Sequence, residues 1–115
     1  MAIPSGSGTE VLKVAGATRT DTSGLTLVNG VANHIYTILS VSVCETAGNA
    51  ETFNLYFSDD GSTDYFIVKN QALAANETFI YNDRIVLSGT DELIFSAGGT
   101  CDIDIIASYI DQDWT

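Results

Sequence analysis

The segment His34–Glu45, which reads HIYTILSVSVCE, decides the fold of this chain. Its residues alternate between two sets with a period of two, which is typical of a half-buried β-strand. The first set is Ile35, Thr37, Leu39, Val41 and Val43, and the second is Tyr36, Ile38, Ser40, Ser42 and Cys44. We assign the first set to the core, and this assignment puts the Tyr36 ring on the other face of the strand.

The sequence on both sides of this segment also reads as short strands separated by turn signals. Before it we expect strands at residues 11–14 and 25–28, followed by Asn29-Gly30, a hairpin-type signal because both residues tolerate positive φ. After it the predicted strands are residues 51–58, 64–69, 77–81, 84–87, 92–96 and 101–110. Residues 70–76 have some helical propensity, but they are too few for more than one turn.

Eight or nine strands with a turn signal every 8–12 residues or so are typical of a β-sandwich or barrel. We therefore predict an all-β protein, a single antiparallel β-sandwich. We expect it to be jelly-roll-like, with an immunoglobulin-like topology as the alternative, because strand order cannot be read from the sequence. Residues 9–115 form the predicted domain, and the small, polar residues 1–8 form an extended N-terminal arm.

The chain is strongly acidic, and this excludes some partners. Its 115 residues include 15 acidic and 4 basic side chains, for a net charge of −11. We expect no binding to nucleic acid, which needs a dense basic face, and none to an anionic membrane surface. The acids mark a solvated surface, or they discourage edge-to-edge association, or they complement a basic partner.

Signatures of catalysis are missing from the sequence. The one histidine, His34, begins a strand, and we interpret it as structural because a general base also needs a positioned nucleophile and an orienting partner. The chain has no G-x-S-x-G elbow, no P-loop and no G-x-G-x-x-G motif. We expect it to be neither an enzyme nor dependent on a cofactor.

Two features contain residue types that occur in metal or redox sites. Residues 59–64, DDGSTD, lack the spacing of a calcium loop, and Asp and Gly are also what a hairpin turn requires, so we predict a turn and no metal. Cys44 and Cys101 lie outside any C-x-x-C pair. Cys101 falls on the apolar face of the last strand and is expected to be a buried free thiol, whereas Cys44 could lie at an interface.

Three aromatic residues stand outside the predicted core. Tyr36 and Tyr56 have the non-core parity of their strands, and Trp114 lies in the C-terminal tail. Exposed Tyr and Trp are favoured anchors in protein–protein contacts, so all three are candidate partner-binding residues. The alternative is that the outer face is partly covered, or that a β-bulge has shifted the parity.

Three stretches resemble small structural proteins of tailed bacteriophages: IPSGSGTEVL at residues 3–12, GVANHIY at residues 30–36 and SYIDQDW at residues 108–114. Within that type the chain is most similar to capsid decoration, or cement, proteins. The resemblance implies a β-sandwich on the outside of an icosahedral shell, braced against the major capsid protein and often trimeric. It also implies anchoring by the N-terminal region, which makes Ile3, Pro4, Val11 and Leu12 candidate contacts.

The resulting function hypothesis is a decoration protein located at the capsid surface of the virion and made in the host cytoplasm. The start of the chain has neither a basic n-region nor an apolar h-region, so no signal peptide is expected. One alternative is a structural component of the phage tail, neck or fibre base. Another is a carbohydrate-binding β-sandwich for host attachment, in which Tyr56 and Trp114 would contact the glycan.

Overall fold

A computed structural model describes residues 9–114, which form two packed antiparallel β-sheets. The strands in chain order are β1 (Thr9–Arg19), β2 (Leu25–Asn29), β3 (His34–Glu45), β4 (Glu51–Asp59), β5 (Thr63–Leu73), β6 (Thr78–Tyr81), β7 (Ile85–Ser88), β8 (Glu92–Ala97) and β9 (Ile103–Asp113). Each predicted strand has a counterpart among them. Within this part of the chain no helix is long and apolar enough to cross a membrane.

The order of the strands is that of a jelly roll. Sheet A has the order β1-β9-β3-β6, with β7 also paired to β3, and sheet B has the order β2-β8-β4-β5. Each sheet therefore interleaves strands from the beginning and the end of the chain, as two Greek keys packed on each other do. The predicted sandwich and its jelly-roll form are confirmed. The immunoglobulin-like alternative is wrong, because β1 pairs with the last strand and not with β2.

Strands β6 and β7 are two pieces of one edge strand. β6 pairs with residues 41–44 of β3 and β7 with residues 35–38, so both lie along the same side of β3. Residues 70–76, the stretch with helical propensity, are part strand and part turn. Residues 70–73 complete β5, because they pair with β4 through Leu73, and no helical turn forms there.

A β-bulge in the middle of β3 reverses the face on which its side chains lie. The pairing of β3 with β9 shifts by one residue between Ile38 and Ser40. Before the bulge the even-numbered Tyr36 and Ile38 are buried, and after it the odd-numbered Val41 and Val43 are buried. An extra residue in one strand has this effect because side chains alternate with a period of two.

The core lies between the sheets and is built around three phenylalanines. Phe53 of β4 stacks on Phe95 of β8 at 5.7 Å between ring centroids and meets the edge of Phe79 of β6 at 5.3 Å. Ile103 and Ile105 of β9 are fully buried against them. These positions have the parity predicted for β4 and β9, and burying each such side chain stabilises the fold by about 1.5–3 kcal/mol.

The Asn29-Gly30 signal does not make a hairpin. β2 belongs to sheet B and β3 to sheet A, so the chain crosses between sheets at this point. Gly30 is needed for a close approach rather than for positive φ. Its N–H donates to the Asp91 carbonyl at 2.9 Å, and a Cβ on Gly30 would lie 2.1 Å from the Gly89 carbonyl oxygen.

Candidate interaction surface

The first half of β1 is an exposed edge strand with three apolar side chains. Every residue from 9 to 14 is exposed, and the exposed fraction is 46% for Val11, 75% for Leu12 and 68% for Val14. β1 pairs with β9 on one side and ends sheet A on the other, so its outer backbone groups are available for a further strand. The candidates Val11 and Leu12 thus lie together at this edge, whereas Ile3 and Pro4 lie outside the described residues.

Val11 and Leu12 point to opposite sides of sheet A. Leu12 pairs with Ile110, and both side chains lie on the face of sheet A away from sheet B. Val11 pairs with Asp111, and both side chains lie on the face toward sheet B. Val11 is nevertheless exposed. An edge strand that is apolar on both sides is unusual for a surface in contact only with water, and it is typical of an interaction site.

A charged cluster fastens this half of β1 to the sheet. Lys13 of β1 donates from Nζ to Oδ2 of Asp111 at 2.8 Å, and Nδ1 of His34 donates to Oδ1 at 2.7 Å. The Nε2 atom of His34 is 3.4 Å from a carboxylate oxygen of Asp113. Asp111 is buried, so its two oxygens bind one group from β1 and one from β3. His34 therefore links β3 to β9 through this carboxylate.

Burial and the two partners act on the pKa of Asp111 in opposite directions. Burial raises the pKa, because the charged carboxylate loses water. The hydrogen bonds from Lys13 and His34 lower it, and the net pKa is below the ordinary value. The same hydrogen bond raises the pKa of Lys13. Asp111 therefore stays charged and holds β1 in register under neutral conditions.

Tyr36 is a core residue, and the expectation that it lies on the non-core face is wrong. It is 4% exposed because the bulge reverses the parity of β3 before Ser40. Its ring stacks on His34 at 5.8 Å, and its phenol oxygen accepts a hydrogen bond from the Val31 N–H at 3.1 Å. Burial is the main cause of its raised pKa. Tyr36 therefore packs against His34 of the Asp111 cluster, and it has almost no exposed surface that a partner could contact.

The other two aromatic candidates are half-buried. Trp114 donates its backbone N–H to the Asn33 carbonyl at 3.0 Å, and its indole Nε1 is buried without a hydrogen-bond partner among residues 9–114. Tyr56 lies on the outer face of sheet B, 5.1 Å from Phe66 between ring centroids. Nζ of Lys69 lies 4.9 Å from the centroid of the Phe66 ring. The three aromatic candidates are therefore not brought together.

Two buried carboxylates fix loops, and the sequence did not single them out. Glu45, 1% exposed, accepts backbone N–H groups from Ala47, Gly48, Asn49 and Asn76 at 2.7–3.0 Å. The bond from Asn76 is the main cause of its lowered pKa, with the other three acting in the same direction and burial against them. In the sequence, an acid at the end of a strand is expected to be solvated. No neighbouring residue indicates that the loop containing Asn76 also packs on Glu45.

The second buried carboxylate belongs to an acidic cluster. Asp91 accepts the N–H of Ser88 at 3.0 Å and that of Asp60 at 3.1 Å, and the Asp60 side chain accepts the Thr90 hydroxyl at 2.9 Å. Carboxylate oxygens of Asp59, Asp60 and Asp91 lie within 4.8 Å of one another, and they are the groups that a metal ion would use there. The predicted turn at residues 59–62 is confirmed, with φ of 53° at Asp60 and 70° at Gly61.

The two cysteines differ in access to solvent. Cys101 is 5% exposed, as expected, and its thiol donates to the Arg19 carbonyl at 3.3 Å. Burial is the main cause of its raised pKa. Cys44 is half-buried on the outer face of sheet A, and both thiols are free.

Solved structures share this fold at low sequence identity. A chain from the Bacillus endospore appendages, described as disulfide-linked pili, is similar over 100% of this chain and 97% of its own, with 12% identity and a TM-score of 0.59. A chain from the acid-stable capsid of Helicobacter pylori bacteriophage KHP30 is similar over 95% of both chains, with 12% identity and a TM-score of 0.54.

The VP2 subviral particle of infectious bursal disease virus provides a third similar chain, with 12% identity and a TM-score of 0.53. The match covers 93% of this chain and 33% of VP2, so this chain corresponds to about a third of that protein. No protein-family model matches the sequence, and no curated protein shows significant similarity to it. At these identities the shared property is the jelly-roll sandwich itself.

Proposed function

We propose that this chain is a structural protein of a tailed-bacteriophage virion that binds the outside of the capsid shell and stabilises contacts between major capsid protein subunits. One observation carries the proposal: residues 9–14 of β1 form an exposed edge strand that presents Val11 on one face of sheet A and Leu12 and Val14 on the other. The jelly-roll fold shared with a KHP30 capsid chain and with VP2 supports it, because capsid assemblies use this sandwich.

The edge of β1 gives the proposal a physical mechanism. A strand of a capsid subunit that pairs with β1 would satisfy the outer backbone groups and cover Val11 and Leu12. Residues 1–8 carry no charged side chain, so they can extend the contact along a neighbouring surface without burying a charge. Many weak contacts of this kind become tight when they are repeated over a symmetric shell.

The Asp111 cluster has a positioning role in this mechanism. An exposed edge strand frays when only one neighbour holds it, and Lys13 and His34 hold β1 and β3 to β9 through one buried carboxylate. The strand is therefore kept in register before a partner arrives, which lowers the entropic cost of pairing. The acidic loops at the ends of the sandwich keep the rest of the domain solvated.

The proposal is tested on particles of the virus that encodes this chain, prepared with and without it. Localisation by electron cryo-microscopy should place the protein on the outside of the shell, and a location in the tail, neck or fibre base would overturn the proposal in favour of that alternative. A shortened chain that lacks residues 1–8 should fold and bind less. Unchanged binding would show that this segment contributes nothing to attachment.

Carbohydrate binding is a second candidate, and one observation favours it. Phe66 on β5 is 48% exposed, and its ring contacts both the Tyr56 ring and the Lys69 ammonium group. Aromatic rings of this kind can stack on the apolar face of a sugar. Binding to a glycan array that disappears in Phe66→Ala and persists in Val11→Lys would favour this function. No binding to any glycan would contradict it.

A further inference from the structure

The outer face of sheet A carries an apolar surface of which the proposed function uses only Leu12. Cross-strand pairing arranges its central side chains in three rows. The rows are Gly16, Ile106, Ser42 and Ile80; then Val14, Ser108 and Ser40; then Leu12, Ile110, Thr37 and Val86. We call these eleven residues the outer A face. None of them is charged.

Charged residues border this face. The row beyond Gly16 contains Asp104, and the row beyond Leu12 contains Glu10. The chain as a whole has a net charge of −11, so the absence of acids from three successive rows sets the outer A face apart from the acidic loops around it. Asp59, Asp60 and Asp91, for example, lie together at the turns that join strands.

The size of the face is that of an interaction surface. Ile110 is half-buried, and the other five large apolar side chains range in exposure from 47% at Ile106 to 75% at Leu12. Together they expose on the order of 500 Å² of surface, similar to the largest apolar patch on a typical monomer. The serine, threonine and glycine positions between them bring the face toward the roughly 800 Å² per partner of a standard interface.

We propose that the outer A face binds the same face of a second copy, so that two molecules pack sheet on sheet about a two-fold axis. Charge is the first reason. Two bodies of net charge −11 repel each other wherever their acids meet, and the outer A face lets them approach with their acids at the margins. A partner of another kind would be expected to use the abundant carboxylates through a basic surface.

Shape is the second reason. Along the first row a large side chain alternates with a small one, in the order Ile80, Ser42, Ile106 and Gly16. Packed sheets interdigitate side chains about 10 Å apart, so large residues need small residues opposite them. About a two-fold axis, the large side chains of each copy can pack against the small residues of the other copy. The same residues then form both halves of the contact.

This arrangement differs from the trimer that the resemblance to decoration proteins implies. An isologous contact between two faces closes at two copies and leaves no second outer A face free. The β1 edge stays partly accessible, because Val11 lies on the opposite side of sheet A from Leu12. The interface therefore goes beyond the proposed function, and capsid binding does not depend on it.

The test is the mass of the full-length chain in solution, measured by analytical ultracentrifugation with no particle present. We expect a dimer whose population rises with protein concentration. Ile80→Glu and Ile106→Glu should each shift the population to monomer, because each variant places two added carboxylates in an apolar contact. Val31→Glu is the matched control: Val31 is 52% exposed in the loop between β2 and β3, off the outer A face, and this variant should dimerise as the wild type does.

A circular dichroism spectrum and melting temperature like those of the wild type would show that each variant is folded. A wild-type chain that is monomeric from micromolar to near-millimolar concentration would overturn the inference, as would a trimer. Unchanged dimerisation of both folded glutamate variants would also overturn it. None of these results depends on capsid binding, so failure here and failure of the proposed function are separate outcomes.

Discussion

Asp111 accepts a hydrogen bond from Lys13 at 2.8 Å, across 98 residues of sequence, and this contact joins the exposed edge strand β1 to the last strand of the chain. His34 occupies the other oxygen of the same carboxylate. The first half of β1 has little apolar burial of its own, so its position depends on this buried acid and on the backbone pairing with β9.

Asp111→Asn should destabilise the domain by about 2 kcal/mol at neutral pH, since hydrogen bonds to a charged group are lost. The folded-state pKa of Asp111 lies below its ordinary value of 3.8, so the contribution is fully present above that value. It is lost as the pH falls through the folded-state pKa. Urea unfolding at several pH values should therefore show the difference between variant and wild type shrinking below about pH 4.

The control for this experiment is Asp83→Asn, because Asp83 is exposed between β6 and β7 and carries the same chemical change. Its free energy of unfolding should stay close to that of the wild type. A constant difference between Asp111→Asn and wild type down to pH 2 would show that the charge of Asp111 has no part in stability.

Tyr36→Phe should cost about 1–2 kcal/mol, because the Val31 N–H loses the phenol oxygen that accepts its hydrogen bond. The phenylalanine ring keeps the packing of the core, so the far-ultraviolet circular dichroism spectrum of the folded protein should not change. Thermal unfolding measures the loss. Wild-type stability in Tyr36→Phe, together with ready chemical labelling of Tyr36 in the wild-type protein, would show that Tyr36 lies on the outer face of sheet A.

Glu45→Gln should loosen two loops at once. The amides of residues 47–49 and 76 donate to the Glu45 carboxylate, so their hydrogen exchange should accelerate while that of the core strands stays slow. The pKa of Glu45 is lowered from 4.5, so the wild-type protein should lose this protection as the pH falls below that value. Equal exchange in Glu45→Gln and wild type at neutral pH would contradict this role.

Cys44 should react with a thiol reagent well before Cys101 in the folded protein. Cys101 is 5% exposed, and burial raises its pKa, so little reactive thiolate reaches the solvent. A chromogenic disulfide should detect one fast thiol in native protein and two after unfolding. Two equally fast thiols would place Cys101 at the surface, and none before or after unfolding would indicate a disulfide.

The architecture could be predicted because the sequence pattern of a β-strand depends only on residues close together in the chain. The alternation in His34–Glu45 and in residues 51–58 depends on neighbours in sequence, and the spacing of turns limits how many strands can pack. The β-bulge at Leu39 was not predictable in position, because hydrophobic residues occur on both sides of it. That single extra residue moved Tyr36 from a predicted surface position into the core.

The candidate surface was predicted only in part. The resemblance to decoration proteins implies Val11 and Leu12, whereas their exposure follows from β1 being the edge of sheet A, which is a property of strand order. The buried acids Glu45, Asp91 and Asp111 could not be predicted, because each has at least one partner far along the chain, such as Asn76 for Glu45 and Lys13 for Asp111. The charge-free rows of the outer A face likewise appear only once the register of five strands is known.

The most direct measurement of a capsid-stabilising role is the temperature at which particles release DNA, with this chain absent and then added back. Particles that lack it should release DNA at a lower temperature, and the wild-type chain should restore the value. Val11→Lys should fail to restore it, because a charge would replace an apolar side chain that the capsid strand is proposed to cover, while Val31→Lys should restore it fully. The same release temperature with and without the wild-type chain would contradict the proposed function.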